Sequence, residues 1–252
     1  MLTSRKQALL IAPLLAIFFG ALPARAEVRE EFHKTVPMDR TGTLSLKNVN
    51  GDVKISAWDK NEIQIDAVKT ASSEQKLHDA RIDVAGSGHQ VDVQTKYPDH
   101  TNNNPATVEY TIHVPRGVRL FPVETVNGNI RVDGPQGRIK AATVNGKVEV
   151  WNADDELELD SVNGEIKASL SNPGKNKVKL NVVNGGVALM LPASANVHVK
   201  ASTVNGSIHS ELPLEIHKNQ YAPGASVDSN LGSGGAIIEL DSVNGSIYLQ
   251  KS

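Results

Sequence analysis

The sequence has no cysteine and few aromatic residues, with two tryptophans, four tyrosines and four phenylalanines among its 252 residues. Without cysteine there are no disulfide bonds, so the fold must depend on backbone hydrogen-bond ladders and stacked aliphatic side chains. Because aromatic rings are scarce, a broad platform for stacking sugar rings is not expected. Both absences direct attention to the aliphatic residues and their spacing.

An excess of positive charge is also missing. The chain has 26 lysines and arginines against 28 aspartates and glutamates, a formal net charge of −2. No basic stripe runs along the sequence, so a nucleic-acid partner is not expected. The Gly-x-Ser-x-Gly, P-loop and dinucleotide-binding motifs are absent as well. No cofactor is predicted.

Long hydrophobic runs are missing after the first 26 residues. Arg5 and Lys6 precede an apolar stretch at 8–22, which is followed by an Ala-x-Ala cleavage site. That stretch is shorter than the ~20 residues needed to cross a membrane. We therefore predict a cleaved signal peptide at 1–26 and no transmembrane segment in the mature chain. With no cysteine to carry a lipid, the protein is expected to be exported to the periplasm or the cell surface.

The tripeptide Val-Asn-Gly, in contrast, occurs seven times. Five of the copies follow one another at steps of 18, 18, 21 and 21 residues, which indicates a supersecondary unit that is repeated and stacked. The seven pairs, which we predict to be structural turns, are Asn50 and Gly51, Asn127 and Gly128, Asn145 and Gly146, Asn163 and Gly164, Asn184 and Gly185, Asn205 and Gly206, and Asn244 and Gly245.

Each copy shows period-two patterning on both sides of Asn-Gly. The residue two after Gly is always Ile or Val, and the positions four and six before Asn are mostly apolar, as in Phe121 and Val123. This pattern predicts two short strands that share one apolar face. Asn-Gly suits the connection because both residues tolerate positive φ.

Two architectures fit this pattern. In a β-solenoid, Asn-Gly is a corner and the copies lie parallel, whereas in an antiparallel β meander or sandwich it is a hairpin turn. The regular period favours an all-β, single-domain β-solenoid with rungs of 18–21 residues, and a right-handed coil is the default. We predict that this domain spans 27–252, with regular rungs at 121–212, a loop insertion at 213–235 and a short helix near 72–80.

The order of these features is similar to a known family. The first copy reads Leu-Lys-Asn-Val-Asn-Gly-Asp-Val-Lys-Ile at 46–55, and a Val-Pro-Arg-Gly-Val step follows at 114–118. Tandem copies, a Gly-rich stretch at 232–235 and a final Ser-Val-Asn-Gly-Ser-Ile complete the order. It resembles the bacterial DUF4097 β-strand repeat proteins, often labelled "putative adhesins". The resemblance implies a β-solenoid-like fold, an envelope setting and no established catalytic residues.

Three sets of residues are candidate sites. The first is an acidic run, which could serve polysaccharide chemistry or solvate a strand: Asp154, Asp155, Glu156, Glu158 and Asp160. The second is the pair His198 and His209, which lack the spacing of metal ligands. The third is Trp58 and Trp151, which are expected to cap the core while each N–H reaches a partner. No catalytic or metal site is predicted.

The leading hypothesis is a non-enzymatic envelope protein that acts as a scaffold or an adhesin-like binding surface. An envelope glycan or protein would be the partner, and the insertion at 213–235 would provide specificity. The alternatives are a polysaccharide-acting β-helix enzyme and a structural protein that assembles into oligomers.

Overall fold

The computed structural model describes residues 27–98, 105–173, 176–218 and 223–252. The proposed signal peptide at 1–26 lies outside the described residues. Most of the described chain is β-strand, and the single described helix, α1 (Glu74–Asp79), is capped by the Ser73 side chain. The expected helix near 72–80 is therefore present.

Nineteen described strands, numbered in chain order, make up the rest of the fold. They are β1 (Val28–Lys47), β2 (Val53–Trp58), β3 (Glu62–Ala71), β4 (Arg81–Lys96), β5 (Thr107–Pro115), β6 (Arg119–Asn127), β7 (Ile130–Asp133), β8 (Ile139–Asn145), β9 (Val148–Ala153), β10 (Leu157–Asn163), β11 (Ile166–Leu170), β12 (Val178–Asn184), β13 (Val187–Leu191), β14 (Val197–Asn205), β15 (Ile208–Ser210), β16 (Ile216–Lys218), β17 (Ala225–Leu231), β18 (Ala236–Asn244) and β19 (Ile247–Lys251).

The strands form two sheets that share one hydrophobic core. Sheet I contains the strands that precede Asn-Gly and has the order β4-β1-β6-β8-β10-β12-β18-β14-β17-β16. Sheet II contains the strands that follow Asn-Gly and has the order β1-β3-β5-β2-β7-β9-β11-β13-β19-β15. Each copy therefore supplies one strand to each sheet and turns between them at Asn-Gly.

Neighbouring copies are parallel and in register, because Asn pairs with Asn in sheet I. The prediction of an all-β solenoid is therefore confirmed, and an antiparallel arrangement of the copies is wrong. Antiparallel pairing occurs at the two ends, where β3 lies between β1 and β5 and where β17 pairs with β14. These strands cover rungs that would otherwise present an edge for aggregation.

The spatial order of the rungs departs from the order of the sequence. The last copy, β18 with β19, lies between β12 with β13 and β14 with β15. The seven rungs, named by their asparagines, therefore follow the order Asn50, Asn127, Asn145, Asn163, Asn184, Asn244, Asn205. Nothing in the regular spacing of the copies predicts this insertion.

The charge pattern is consistent with the inserted order. Five residues before Asn, five of the seven rungs carry a charged side chain, and in spatial order these are Lys140, Glu158, Lys179, Glu239 and Lys200, so that the sign alternates along these five. Stacking in sequence order would instead place Lys179 beside Lys200. Like charges directly opposite each other on neighbouring strands are destabilising, whereas opposite charges attract.

This column gives a first prediction. Glu239→Lys should lower the free energy of unfolding by about 1 kcal/mol, because three lysines would then lie side by side on the sheet surface. Glu239→Gln is the control that removes attraction without adding repulsion, and it should cost less. Denaturation at low and high salt would measure both effects, and a loss in Glu239→Lys that salt does not reduce would contradict the electrostatic explanation.

The core follows the period-two pattern, since the alternate aliphatic residues of both sheets are buried in one cluster. One rung departs from the expectation. Phe121, predicted to face inward, is 39% exposed, and Leu120 is buried instead. The register shifts between Leu120 and Val123, so the phenylalanine ring turns outward and lies beneath the Arg138 guanidinium.

The segment 213–235 also differs from expectation. Rather than forming a loop insertion throughout, it contains β16 and β17, and β17 pairs along seven residues with β14. Ala225, Val227 and Leu231 of this strand are buried in the core. The segment therefore covers the last rung of sheet I. It looked like a loop because its apolar residues are sparse and are separated by Gly, Ser and Asp.

Candidate functional site: an apolar groove beside the asparagine ladder

The Asn-Gly corners lie directly above one another, and this contact requires glycine. A Cβ atom on Gly146 would overlap the carbonyl oxygen of Gly128, and one on Gly164 would overlap that of Gly146. The asparagines do not use the positive φ anticipated for them. Among the described non-glycine residues only Asn152 has positive φ, at 58°.

The asparagines are instead joined by their side chains. Asn145 Nδ2 donates to Asn127 Oδ1 at 2.8 Å, and Asn163 Nδ2 donates to Asn145 Oδ1 at 2.9 Å. The same bond joins every neighbouring pair of the seven rungs, at 2.8–2.9 Å. This asparagine ladder explains the repeated residue, because an amide is both donor and acceptor and can continue the chain of bonds in one direction.

Buried hydroxyl groups line the inner side of the corner. Thr143 Oγ1 donates to the carbonyl of Gly128 at 2.9 Å, and Ser161 Oγ donates to that of Gly146 at 3.1 Å. Thr203 and Ser242 make the same bond in their rungs. These bonds give the glycine carbonyls a partner inside the protein, where an unpaired acceptor would be costly.

A second prediction arises from the asparagine ladder. Asn163→Ala removes two ladder bonds and should lower the free energy of unfolding by about 1–3 kcal/mol. Asn205→Ala removes one bond at the end of the ladder, so it should cost roughly half as much. Chemical denaturation of both variants tests the comparison, and equal losses would indicate that the ladder bonds do not determine stability.

The valine points outward in six of the seven tripeptides. Val126, Val144, Val162, Val183, Val243 and Val204 follow one another in spatial order and are 38–56% exposed. These six residues, which we call the valine ridge, make up most of the large hydrophobic side chains that are exposed in the described chain. Monomeric soluble proteins rarely expose a contiguous apolar row of this kind without a partner.

The valine ridge forms one wall of a groove with a volume of about 720 Å³. The other wall comes from the residues two positions earlier in each strand, among them Glu124, Asp160 and Asp241. In spatial order, these three carboxylates lie on every second of the rungs that carry the valine ridge. None of the residues that line the groove is basic. We refer to this surface as the valine groove, and it combines apolar contact with negative charge.

The three carboxylates differ in how they are paired. Glu124 lies 3.7 Å from the Lys47 ammonium, and Asp160 accepts a hydrogen bond from Asn181 at 2.7 Å. Within the described chain, Asp241 has no hydrogen bond or ion pair from a side chain. Loss of solvent raises the pKa of Asp241 above its usual range, and the neighbouring Glu239 adds to this, while Lys179 opposes it. A cation brought to Asp241 would therefore gain the most.

The acidic run singled out in the sequence does not form a catalytic pair. Arg138 lies 3.2 Å from Glu156 and 3.7 Å from Glu158, and Lys140 donates to Glu158 at 2.8 Å. The hydrogen bond from Lys140 lowers the pKa of Glu158. Both glutamates are therefore paired with basic side chains on the sheet surface, and the lowered pKa of Glu158 is the opposite of what a general acid needs.

The remaining acidic residues are placed separately. Asp155 accepts a bond from the backbone N–H of Glu156 at 2.7 Å, as is common in turns. Asp160 lines the valine groove, while Asp154 lines a smaller polar pocket near Asn152. The five acidic residues of the run therefore have different neighbours and do not form one site.

The histidines of the candidate pair, His198 and His209, have separate partners. His198 on β14 contacts Asp228 and Asn230 of β17, whereas His209 on β15 stacks on Tyr248 at 5.1 Å between ring centroids. In the described ranges no group of three or more His, Asp or Glu side chains is arranged to hold a metal ion.

The tryptophans follow the expectation only in part. Trp58 is partly buried, donates to the Glu62 carbonyl at 2.8 Å and stacks on His113. Trp151 is partly buried too, but its indole N–H has no hydrogen-bond partner. Among the residues that the structure describes, no helix has the length and apolar character needed to cross a membrane.

Sequence comparison now identifies the family. The profile of the family described as Toastrack DUF4097 matches residues 16–250. The chain belongs to the DUF4097 Toastrack family. This confirms the resemblance drawn from the order of the motifs. No curated protein matches the sequence at a significant level.

Several solved structures are similar to this chain. A "putative cell adhesion protein" from Clostridium sporogenes is similar over 89% of this chain and 100% of its own, with 14% identity and a TM-score of 0.52. A "putative adhesin" from Bacteroides fragilis (92% and 100% covered, 10% identity) has a TM-score of 0.38. A "putative lipid binding protein" from Parabacteroides distasonis (88% and 96% covered, 11% identity) has a TM-score of 0.33. The first of these shows that the fold is shared.

Sequence reasoning missed the valine groove, although the signal was present. In five copies a buried Ser or Thr precedes the valine, so the alternation of apolar and polar residues is reversed there and the valine lies at an outward position. A fixed aliphatic residue at an outward position of a Toastrack rung is the pattern that could have indicated a binding surface.

Proposed function

We propose that this Toastrack protein is a non-enzymatic binding protein of the cell envelope, and that the valine groove is its docking surface. The observation that supports the proposal is the unbroken row of six exposed valines on a rigid parallel ladder. Burial of exposed apolar area is the main source of binding energy, and a surface fixed by the fold loses little entropy when a partner docks.

The features of the molecule support binding more than catalysis. Glu156 and Glu158 of the acidic run are tied into ion pairs, and the sequence carries none of the catalytic motifs considered above. The sequence of 1–26 supports export, and the structural similarity to one protein named as a putative cell adhesion protein is consistent with an envelope setting.

Co-sedimentation with fractionated cell envelope provides the test. The triple variant Val144→Thr, Val162→Thr and Val183→Thr keeps the β-branched shapes but replaces apolar contact with hydroxyl groups. We expect at least about tenfold weaker binding to the envelope fraction that retains the unaltered protein. The matched control, Ile237→Thr with Tyr248→Thr, removes exposed apolar groups outside the groove and should bind normally.

If the triple variant binds as well as the unaltered protein, the groove is not the docking surface. Circular dichroism and denaturation should show that both variants remain folded, because the altered side chains are exposed. A rise in turnover of wall polysaccharide by the unaltered protein, lost on Glu156→Ala, would instead support an enzyme.

A further inference from the structure

We infer that the partner of the valine groove is a cationic amphipathic α-helix of another protein or peptide, lying along the ladder axis. This inference rests on the proposed function and names the class of its partner. It is carried by the spacing of the rungs, the placement of the carboxylates and the absence of free backbone groups in the groove.

The repeat of the groove matches a helix. Parallel rungs lie about 4.8 Å apart, and an α-helix advances 5.4 Å per turn, so each turn can place one apolar residue near one valine. Six valines span about 24 Å, which corresponds to about 16 helical residues. An extended peptide repeats its side chains every ~6.8 Å on one face and would lose register with the valines within two rungs.

The three carboxylates determine where the partner helix would carry positive charge. Glu124, Asp160 and Asp241 lie on alternate rungs, about 9.6 Å apart, and two helical turns advance about 10.8 Å. A lysine or arginine on every second turn, flanking the apolar stripe, would therefore meet each carboxylate in turn. Asp241, which has no side-chain partner of its own, would gain most from such a cation.

Other occupants fit less well. Strand addition needs an unpaired sheet edge, but the backbone groups of these rungs are paired with the rungs on either side. A phospholipid headgroup would bring negative charge against three carboxylates. A second copy of this chain would place its own carboxylates against them. The six partly exposed valines also supply only a small part of the ~800 Å² that each partner of a stable dimer buries. A helix is narrow enough to use the groove fully.

Fluorescence anisotropy with designed peptides tests the inference directly. The probe is a labelled 17-residue helical peptide with leucine on one stripe and lysine on every second turn beside it. Saturable binding to the purified protein is expected. The same peptide with glutamate in place of lysine, and one of identical composition with a central proline, should each bind at least about tenfold more weakly.

Variants of the protein locate the contact. Asp160→Asn with Asp241→Asn should weaken binding of the lysine peptide about three- to tenfold and reduce its salt dependence. The triple valine-to-threonine variant should weaken it at least about tenfold, and the Ile237→Thr with Tyr248→Thr control should not change it. Unchanged binding in both groove variants would overturn the inference.

The outcomes separate this inference from the proposed function. If no helical peptide binds but the valine variants still lose the envelope fraction, the partner is not a cationic helix and the groove remains the docking surface. If vesicles of anionic phospholipid bind in preference to the lysine peptide, the inference is also overturned. If the valine variants alter neither assay, both proposals fail.

Discussion

Gly185→Ala is expected to lower the free energy of unfolding by at least about 3 kcal/mol. A Cβ at this position would overlap the carbonyl oxygen of Gly164 on the rung below. That oxygen is backbone and cannot rotate away, so the two rungs would have to separate. Separation would stretch the hydrogen bonds between these two rungs, including the one from the Gly164 N–H to the Asn184 carbonyl at 3.0 Å.

Gly186→Ala, one residue further along the same corner, is the matched control. A Cβ there lies 3.1 Å from the Ser246 carbonyl oxygen, a contact that a small adjustment relieves. The other rungs carry side chains at this position: Asp52, Asn129, Lys147, Glu165, Ser246 and Ser207. We expect a change within about 1 kcal/mol in guanidinium denaturation. Equal losses in the two variants would show that close stacking of the corners is not what requires glycine.

Removing residues 236–252 should have the largest effect on the fold. This truncation deletes β18 and β19, and with them the buried side chains Ala236, Ile238, Leu240, Ile247 and Leu249. At about 1.5–3 kcal/mol for each large aliphatic residue, the loss is on the order of 10 kcal/mol, which is comparable to the whole stability of a typical domain. Because the deleted rung is internal, β14 and β15 would lose their neighbours as well.

Hydrogen exchange measures this consequence strand by strand. Amides of β14 and β15 should exchange as in an unfolded chain, whereas any remaining protection should be confined to the rungs before Asn184. A chain that lacks only Lys251 and Ser252 keeps the buried residues of β19 and should retain protection throughout. Persistent protection of β14 in the longer truncation would mean that it can stack directly on β12 without the inserted rung.

The repetition in the sequence was sufficient to predict parallel stacking, because identical residues gain from lying above one another. The asparagine ladder shows the reason, since each amide needs another amide at the same height. The explanation of the corner was wrong, however. Positive φ is a property of one residue in isolation, whereas the requirement for glycine here comes from a neighbouring rung that the local sequence does not reveal.

The order of the rungs could not be predicted from spacing alone. The step from Asn184 to Asn205 equals the step from Asn163 to Asn184, yet only the earlier pair stacks directly. The observed order places Glu239 between Lys179 and Lys200, a long-range charge pattern that the spacing of the copies does not reveal. The valine groove was missed for a similar reason, because its three carboxylates lie 36 or more residues apart in the chain and come together only through stacking.

The inserted rung has a consequence for how the protein is made. Ribosomes synthesise the chain from its N-terminus, so β18 and β19 are made last, although their rung is the sixth of the seven in spatial order. Until this rung is synthesised, β14 could pair directly with β12 only by placing Lys200 beside Lys179, and these two lysines would repel each other. In the complete fold, Glu239 of this last rung separates the two lysines, so the segment made last also removes a like-charge pairing that the equal spacing of the repeats would otherwise create.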